Sequence, residues 1–510
     1  MSKKVVIIGA GIGGLATANL LAKAGYNVEV YEKNSMPGGR AGIYEAKGFR
    51  FDTGPSWYLM PEVFSHYFSL LGKDINKEIK LTKLNPAYKV FFETEEPVTV
   101  TGDSVVDAQT FDAIEPGSGV KLLDYVSKGD DIYRLAMKYF LYTNFSSIRD
   151  FTKLDIIGRG RVMTRLALMP IDKYVRRYVS DRRLRQILEY PMVFLGSSPY
   201  SAPALYSLMS ALDFREGVYY PQGGIYTVIE KIVSAGKELG VSYQYNNPVE
   251  RIDVSDNGTV SGIVLQNGKS VRGDIVISNA DLHYTETKML DKNHRSYPSS
   301  YWNKREAGPS ALLMYLGVKG KLPQLEHHNL FFVDDWQKNF DDIFKGKKIP
   351  HPASVYVCKP SATDDSVAPS GDENVFVLVP LPAGVAIDSG DIEKVADRYL
   401  EQIEKHMGIP DLRKRLGVKR LFGPNDFIDS YNAWQGTALG PSHILRQSAF
   451  FRTPNKSKKV KNLYYVGGST TPGIGLPMCL IGAELVYKRL AGEKRGGPVS
   501  KIRRIIGSDK

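Results

Sequence analysis

The apolar positions of the chain fall into short, separable runs. Val5-Val6-Ile7-Ile8 is uninterrupted and β-branched, the pattern of a strand buried on both faces. It meets Gly9-Ala10-Gly11-Ile12-Gly13-Gly14. Leu15 to Ala24, rich in Ala and Leu and closed by Gly25, then predicts a helix, and Asn27 to Tyr31 a second strand with Glu32 at its end. Further on, Ile225 to Leu239 predicts a helix. Val249 to Val254, Thr259 to Leu265 and Ile275 to Ser278 predict strands, with turn signals at Asn257-Gly258 and Asn267-Gly268. Near the end, Asn462 to Val466 predicts a strand, Gly467 to Pro477 a glycine- and proline-rich loop, and Met478 to Leu490 a helix. Residues 106–218 mix apolar, aromatic and basic positions and read as predominantly helical. The pattern predicts an α/β fold.

Three long uncharged stretches could be taken for membrane spans: Val5 to Ala22, Tyr190 to Leu212 and Asn462 to Ala483. The first is explained by the strand and glycine turn. The second holds Pro191, Pro199 and Pro203, and the third is broken by glycines and two prolines, so neither suits a continuous helix in lipid. No spanning helix and no cleaved signal is expected, which points to a cytoplasmic protein.

The first unit carries chemistry. Gly9, Gly11 and Gly14 fit G-x-G-x-x-G between a strand and a helix, and Glu32 follows at the spacing of a dinucleotide site. Gly9 permits the tight turn, Gly11 lets the backbone approach a pyrophosphate, and Gly14 lets helix and strand pack closely. The helix N-terminus offers N–H groups to phosphates, and Glu32 can accept both ribose hydroxyls. A second strand–glycine–helix unit follows near the C-terminus, with Gly467, Gly468, Ser469, Gly475, Leu476 and Pro477, and its helix N-terminus offers positive potential to a negatively charged group.

Composition changes this picture little: 43% hydrophobic and 24% charged residues over 510 positions is a globular balance with length for two or three domains. Cys358 and Cys479 stand far apart and suggest no disulfide framework. No metal-ligand spacing is visible, and the adjacent His327-His328 are expected to point apart in regular structure. The net charge of +12 is concentrated. Lys153 to Arg185 holds ten Lys/Arg against three Asp, and Lys488 to Lys510 eight against two acids. Such segments suit an anionic surface partner; solvated basic faces are the competing reading.

Pro37-Gly38-Gly39-Arg40, a few residues after the ribose acid, resembles the second motif of the amine oxidase and carotenoid desaturase superfamily of flavoproteins, and Phe51-Asp52-Thr53-Gly54-Pro55 continues the likeness. Asn279-Ala280-Asp281 resembles the element after the last strand of the superfamily's middle FAD segment; a turn and helix cap is its plainer reading. Gly468, where many superfamily members carry Asp, and the Pro-Gly-x-Gly-x-Pro run of residues 472–477 resemble the bacterial and fungal phytoene desaturase family.

The resemblance implies a Rossmann-like FAD-binding domain built from discontinuous segments (1–75, 219–295 and 426–492), a mixed-sheet substrate domain (76–105 and 296–425), a helical membrane-facing insertion (106–218) and a basic C-terminal tail (493–510). It implies FAD, held by Gly9, Gly11, Gly13, Gly14, Glu32, Lys33, Gly38, Gly39, Arg40, Thr53, Gly54, Pro55, Val249, Gly467, Gly468, Ser469, Gly475, Leu476 and Pro477. It implies desaturation of a hydrophobic, phytoene- or diapophytoene-like polyene, with hydride passing to flavin and quinone or oxygen as the final acceptor. A membrane surface touched peripherally, rather than nucleic acid, is the implied partner. Asp150 and Lys153, which share a face on a helix, match a charged pair considered for acid/base work; a surface salt bridge is the alternative. A carotene isomerase or retinol saturase, an amine oxidase with a flavin link at Cys479, and a non-catalytic prenyl-protein chaperone share these motifs.

Overall fold

The structure is a computed structural model that describes residues 3–145 and 160–505. Five parallel strands form one sheet in the spatial order Leu463–Tyr465, Ile275–Ser278, Lys4–Ile8, Asn27–Tyr31, Ser242–Gln244. The unbroken apolar run of the first strand follows from burial on both faces. Val5 and Ile7 pack under the helices Ile12–Lys23, Tyr226–Glu238 and Leu476–Leu490. Val6 and Ile8 face the core of a small antiparallel sheet, Val249–Val254, Val260–Leu265 and Ser270–Arg272. The first helix starts at Ile12 rather than Leu15, because Gly13 and Gly14 form its first turn against the neighbouring backbone.

A second sheet has seven strands in the order Leu416–Phe422, Ser310–Val318, Glu373–Leu381, Val355–Cys358, His328–Phe332, Tyr88–Phe92, Val98–Val100. It is mixed: His328–Phe332 runs parallel to Tyr88–Phe92 and every other pair is antiparallel. Ser310–Val318 shows how it is covered. Leu312, Met314, Leu316 and Val318 face the core under the helix Ser389–His406. Ala311, Leu313 and Tyr315 face a larger core shared with the helices of the region predicted to be helical, among them Ser118–Leu135, Arg182–Glu189 and Ser207–Glu216. The uncharged stretch from Tyr190 is a 3-10 turn, a loop and the start of a helix. Among the described residues no helix is long and apolar enough to cross a membrane.

One expectation about side chains is corrected. His327 and His328 do not point apart: His327 lies in a bend before its strand, where strand alternation does not apply, and the two rings sit 4.5 Å apart. Part of the concentrated basic charge is engaged, while Arg161 and Arg165 stay exposed. Arg176 pairs with Asp172 at 2.9 Å, Arg183 with Asp181 at 3.0 Å, and Arg182 with Asp334 and Glu95. Lys488 is buried and donates to the Tyr142 and Gly497 carbonyls at 2.8 and 2.7 Å. The chain beyond it stays packed, with the Val499 N–H on Glu484 and the Ile505 N–H on the Ala24 carbonyl.

Asp213, on the helix Ser207–Glu216, is buried beneath the large core and accepts from the Tyr190 hydroxyl at 2.6 Å. Burial pushes its carboxyl up to about 7. A carboxyl raised in the fold stabilises fully below its unfolded value, near 4, and that contribution is lost as pH rises through 7. Asp213→Asn is therefore expected to gain thermal stability relative to the unsubstituted chain between about pH 5 and pH 8. A Tm difference that does not change with pH over that range would show that Asp213 is ionised in the fold.

Candidate functional site

The glycine loop after Lys4–Ile8 is shaped by what no side chain could occupy. A Cβ on Gly14 would sit 2.3 Å from the Gly9 carbonyl oxygen. Gly11, Gly13 and Gly467 all close on Asn279, whose amide a Cβ on Gly11 would meet at 2.6 Å. Asn279 follows the strand Ile275–Ser278 and so joins the first and last glycine loops. Asp281 caps the helix Leu282–Thr287 through the Tyr284 N–H, as its plainer reading held, and also accepts from the Trp434 N–H at 3.2 Å. Glu32 is buried. One of its oxygens accepts from the Ala10 N–H at 2.7 Å and the other from the Asn34 N–H at 2.8 Å, which fixes the carboxylate at the loop.

These residues open onto one cavity of about 1120 Å³, at the upper edge of the ~300–1,000 Å³ typical of small-molecule sites. Its wall includes Gly9, Gly11, Gly13, Glu32, Lys33, Gly38, Gly39, Arg40, Thr53, Gly54, Pro55, Val249, Gly467, Gly468, Gly475, Leu476 and Pro477. Two of the expected cofactor residues are absent from it. Gly14 backs the wall from behind, and Ser469 lies beside Gly440 instead. Asp150 and Lys153 lie outside the described residues.

The wall fits a flavin dinucleotide on its own chemistry. Arg40 donates to the Thr437 carbonyl at 3.2 Å and lies over the Tyr431 ring, but its buried Nε has no partner. Thr53 Oγ1 beside it is also buried and unpaired. Such groups call for a polar ligand. Two helices, Ile12–Lys23 and Leu476–Leu490, begin at the wall, where their free N–H ends favour phosphate or a reduced ring. Glu32 and Arg40 would hold the ribose and pyrophosphate, and the C-terminal glycine loop would cover the ring. The Cys479 thiol, also on the wall, is pushed up to about 12 by burial and so stays protonated.

Two features of the site carry no sequence signal. Arg452 is buried and donates to the Thr470, Gln447, Pro441 and Gly468 carbonyls at 2.5–3.3 Å, bolting the C-terminal loop in place. Among the described wall residues His443 supplies the only imidazole. Its Nδ1 lies 3.0 Å from the Leu195 carbonyl, which can only accept, so Nδ1 carries the hydrogen and Nε2 the lone pair. Nε2 would lie 2.3 Å from a Cβ on Gly473, which ties that glycine of the Pro-Gly run to the ring. Burial, with Arg452 nearby, holds the imidazole well below its usual range and therefore neutral.

The model of the flavin-containing amine oxidoreductases matches residues 12–485. A carotenoid 3,4-desaturase of Haloarcula japonica is 43% identical over 94% of this chain and 96% of its own. A zeta-carotene-forming phytoene desaturase of Myxococcus xanthus is 35% identical over 96% of this chain and 94% of its own. Among solved structures, putrescine oxidase bound to putrescine shares the fold with a TM-score of 0.61 at 16% identity, over 97% of this chain and 99% of that one.

Glu32→Ala removes the carboxylate held against the loop, and Gly11→Val drives a side chain into Asn279. Both are expected to lower the flavin-to-protein absorbance ratio of purified protein sharply, while Lys3→Ala leaves it unchanged. Full flavin content in both variants would refute this placement of the cofactor.

Proposed function

The chain belongs to the flavin-containing amine oxidoreductase family, and from that membership we propose how its cavity works: as the site where a long polyene loses hydrogen to FAD. The protein is an FAD-dependent oxidoreductase acting on CH–CH bonds in carotenoid biosynthesis. One observation carries the reading. The four carboxylate, ammonium and guanidinium side chains on the described cavity wall, Glu32, Lys33, Arg40 and Asp281, stand at the cofactor end. Beyond them the wall continues through Trp57, Tyr190, Phe194, Phe332, Phe340 and Phe344. A chamber without charge suits a hydrocarbon and sets no carboxylate opposite the ammonium of an amine.

Desaturation removes a hydride from one carbon and a proton from its neighbour. When bound, FAD supplies the hydride acceptor. The aromatic wall aligns the chain and excludes water. His443 takes the proton on Nε2 while Nδ1–H stays on the Leu195 carbonyl. A weak base suffices, because the proton beside a polyene cation is strongly acidic. Its neutrality through the ordinary pH range keeps the lone pair available.

His443→Phe is expected to retain FAD while turnover falls by about 10²–10⁴, the range of general-base contributions. In the unsubstituted enzyme, acidification through pH 6.5 should leave turnover unchanged at this group, because its pKa in the fold lies well below that value. Normal product formation by His443→Phe, read by chromatography of the polyene, would remove His443 from the reaction.

The cavity mouth also suits a bilayer surface, from which so insoluble a substrate must come. The helix Gly160–Leu168 exposes Val162 and Leu168, and Phe450 and Phe451 stand half exposed. Both segments contribute to the cavity wall. Arg161 and Arg165 are exposed on the same helix and add electrostatic attraction, on the order of 1 kcal/mol for each cation near an anionic surface. Replacing Val162, Leu168, Phe450 and Phe451 with Ser should sharply reduce flotation with liposomes of anionic lipid. Undiminished flotation would place the docking face elsewhere.

A further inference from the structure

Outside the cavity, the described residues include one fully buried group of metal-binding atoms. His327, His328 and Cys358 are at most 4% exposed, and one imidazole nitrogen of each histidine and the thiol sulfur lie within 4.8 Å of one another. Strand pairing brings them together. His328 is the cross-strand partner of Cys358, and partners directly opposite in a sheet share a face. His327 joins from the bend before the strand, held by the Lys359 N–H on its carbonyl at 2.7 Å.

The hydrogen bonding of the two rings is the telling feature. His327 Nδ1 meets Thr363 Oγ1 at 2.8 Å, and His328 Nδ1 meets the Tyr356 hydroxyl at 2.8 Å. The Tyr356 hydroxyl is in turn 2.6 Å from Ser56 Oγ. Both Nε2 atoms remain buried with no partner. Metal-ligating histidines are oriented in this way, one nitrogen fixed by an outer hydrogen bond and the other left for the ion. A void of about 10 Å³ touches His327, Cys358, Asp52 and Ser56, about the volume for a single further ligand.

We propose that His327, His328 and Cys358 form a buried site for one thiolate-seeking transition-metal ion of the Zn²⁺ or Cu⁺ class. Two imidazoles and a thiolate are the donor set such ions select. Bonds of about 2.0–2.3 Å give a trigonal ligand span of about 3.8 Å, so the widest pair must close by about 1 Å, within reach of side-chain rotation. Burial already keeps both imidazoles in the neutral form that ligates. The thiol proton leaves as the sulfur–metal bond forms, since burial otherwise keeps Cys358 protonated. His328 stacks on Trp57 at 4.6 Å and 11°, so the ion stands one ring behind the chamber wall.

Because the site is closed, the ion must be present as the chain folds. The test is FAD-loaded, full-length protein purified from cells grown with added Zn²⁺, Cu²⁺ (reduced to Cu⁺ in the cell) or Co²⁺ in separate cultures. The expected result is one ion per chain by elemental analysis. The cobalt form should also show a thiolate-to-metal charge-transfer band that Cys358→Ser abolishes and Cys479→Ser preserves. Metal content well below one ion in all three folded, flavin-loaded preparations overturns the proposal and leaves a trapped water as the occupant. A bound ion whose cobalt band survives Cys358→Ser overturns it too. If Cys358→Ser fails to accumulate, the metal content of the unsubstituted protein still decides.

Discussion

The Asn279 side chain is the point around which the nucleotide site closes. Three glycines from opposite ends of the chain, Gly11, Gly13 and Gly467, approach it closely: a side chain on Gly11 or Gly13 would collide with it, and one on Gly467 would press against it. The contact requires the strand Ile275–Ser278 to sit between Lys4–Ile8 and Leu463–Tyr465, as the sheet order provides. Glu32 and the Arg452 bolt then fix the two loops whose backbones must face the same ligand. A one-residue slip of any of the three strands would turn its burial pattern over and misplace its loop.

From this convergence follows the division of labour in the cavity. One end is dense in backbone N–H groups and carries the ionised side chains; the other is aromatic and neutral. The boundary is set by architecture. Polar loops gather at the ends of the parallel strands, while the inner face of the seven-stranded sheet and the helices over it supply the apolar wall. A low-polarity chamber strengthens electrostatic effects at the hydride-accepting ring and keeps water from a cationic polyene.

The nucleotide half was legible because its signals are local. Asn27–Tyr31, Val249–Val254 and Ile275–Ser278 begin and end where the residue pattern places them. Glycines and prolines punctuate them, and a β-branched run between turn residues has few alternatives. The seven-stranded sheet was far less legible. Ser310–Val318 and His328–Phe332 are buried on both faces, so no period-2 alternation marks them. The chamber wall is built from positions hundreds of residues apart. His443 and Arg452 owe their roles wholly to tertiary neighbours: a lone histidine in the sequence carries no sign that its Nδ1 will meet the Leu195 carbonyl. The paired histidines misled for a related reason, since alternation describes strands and His327 sits just outside one.

The strand order also has a consequence in time. The edge strand Leu463–Tyr465, the Gly467 loop and the helix Leu476–Leu490 come last in the chain, yet the strand pairs with Ile275–Ser278 and the helix packs on Ile12–Lys23. While the chain is still on the ribosome, the N-terminal glycine loop therefore faces an unfinished pocket. The sheet lacks its final neighbour, and the apolar side of the first helix lacks its cover. FAD capture must wait until residues 463–490 have emerged, and the nascent protein carries that exposed surface until then.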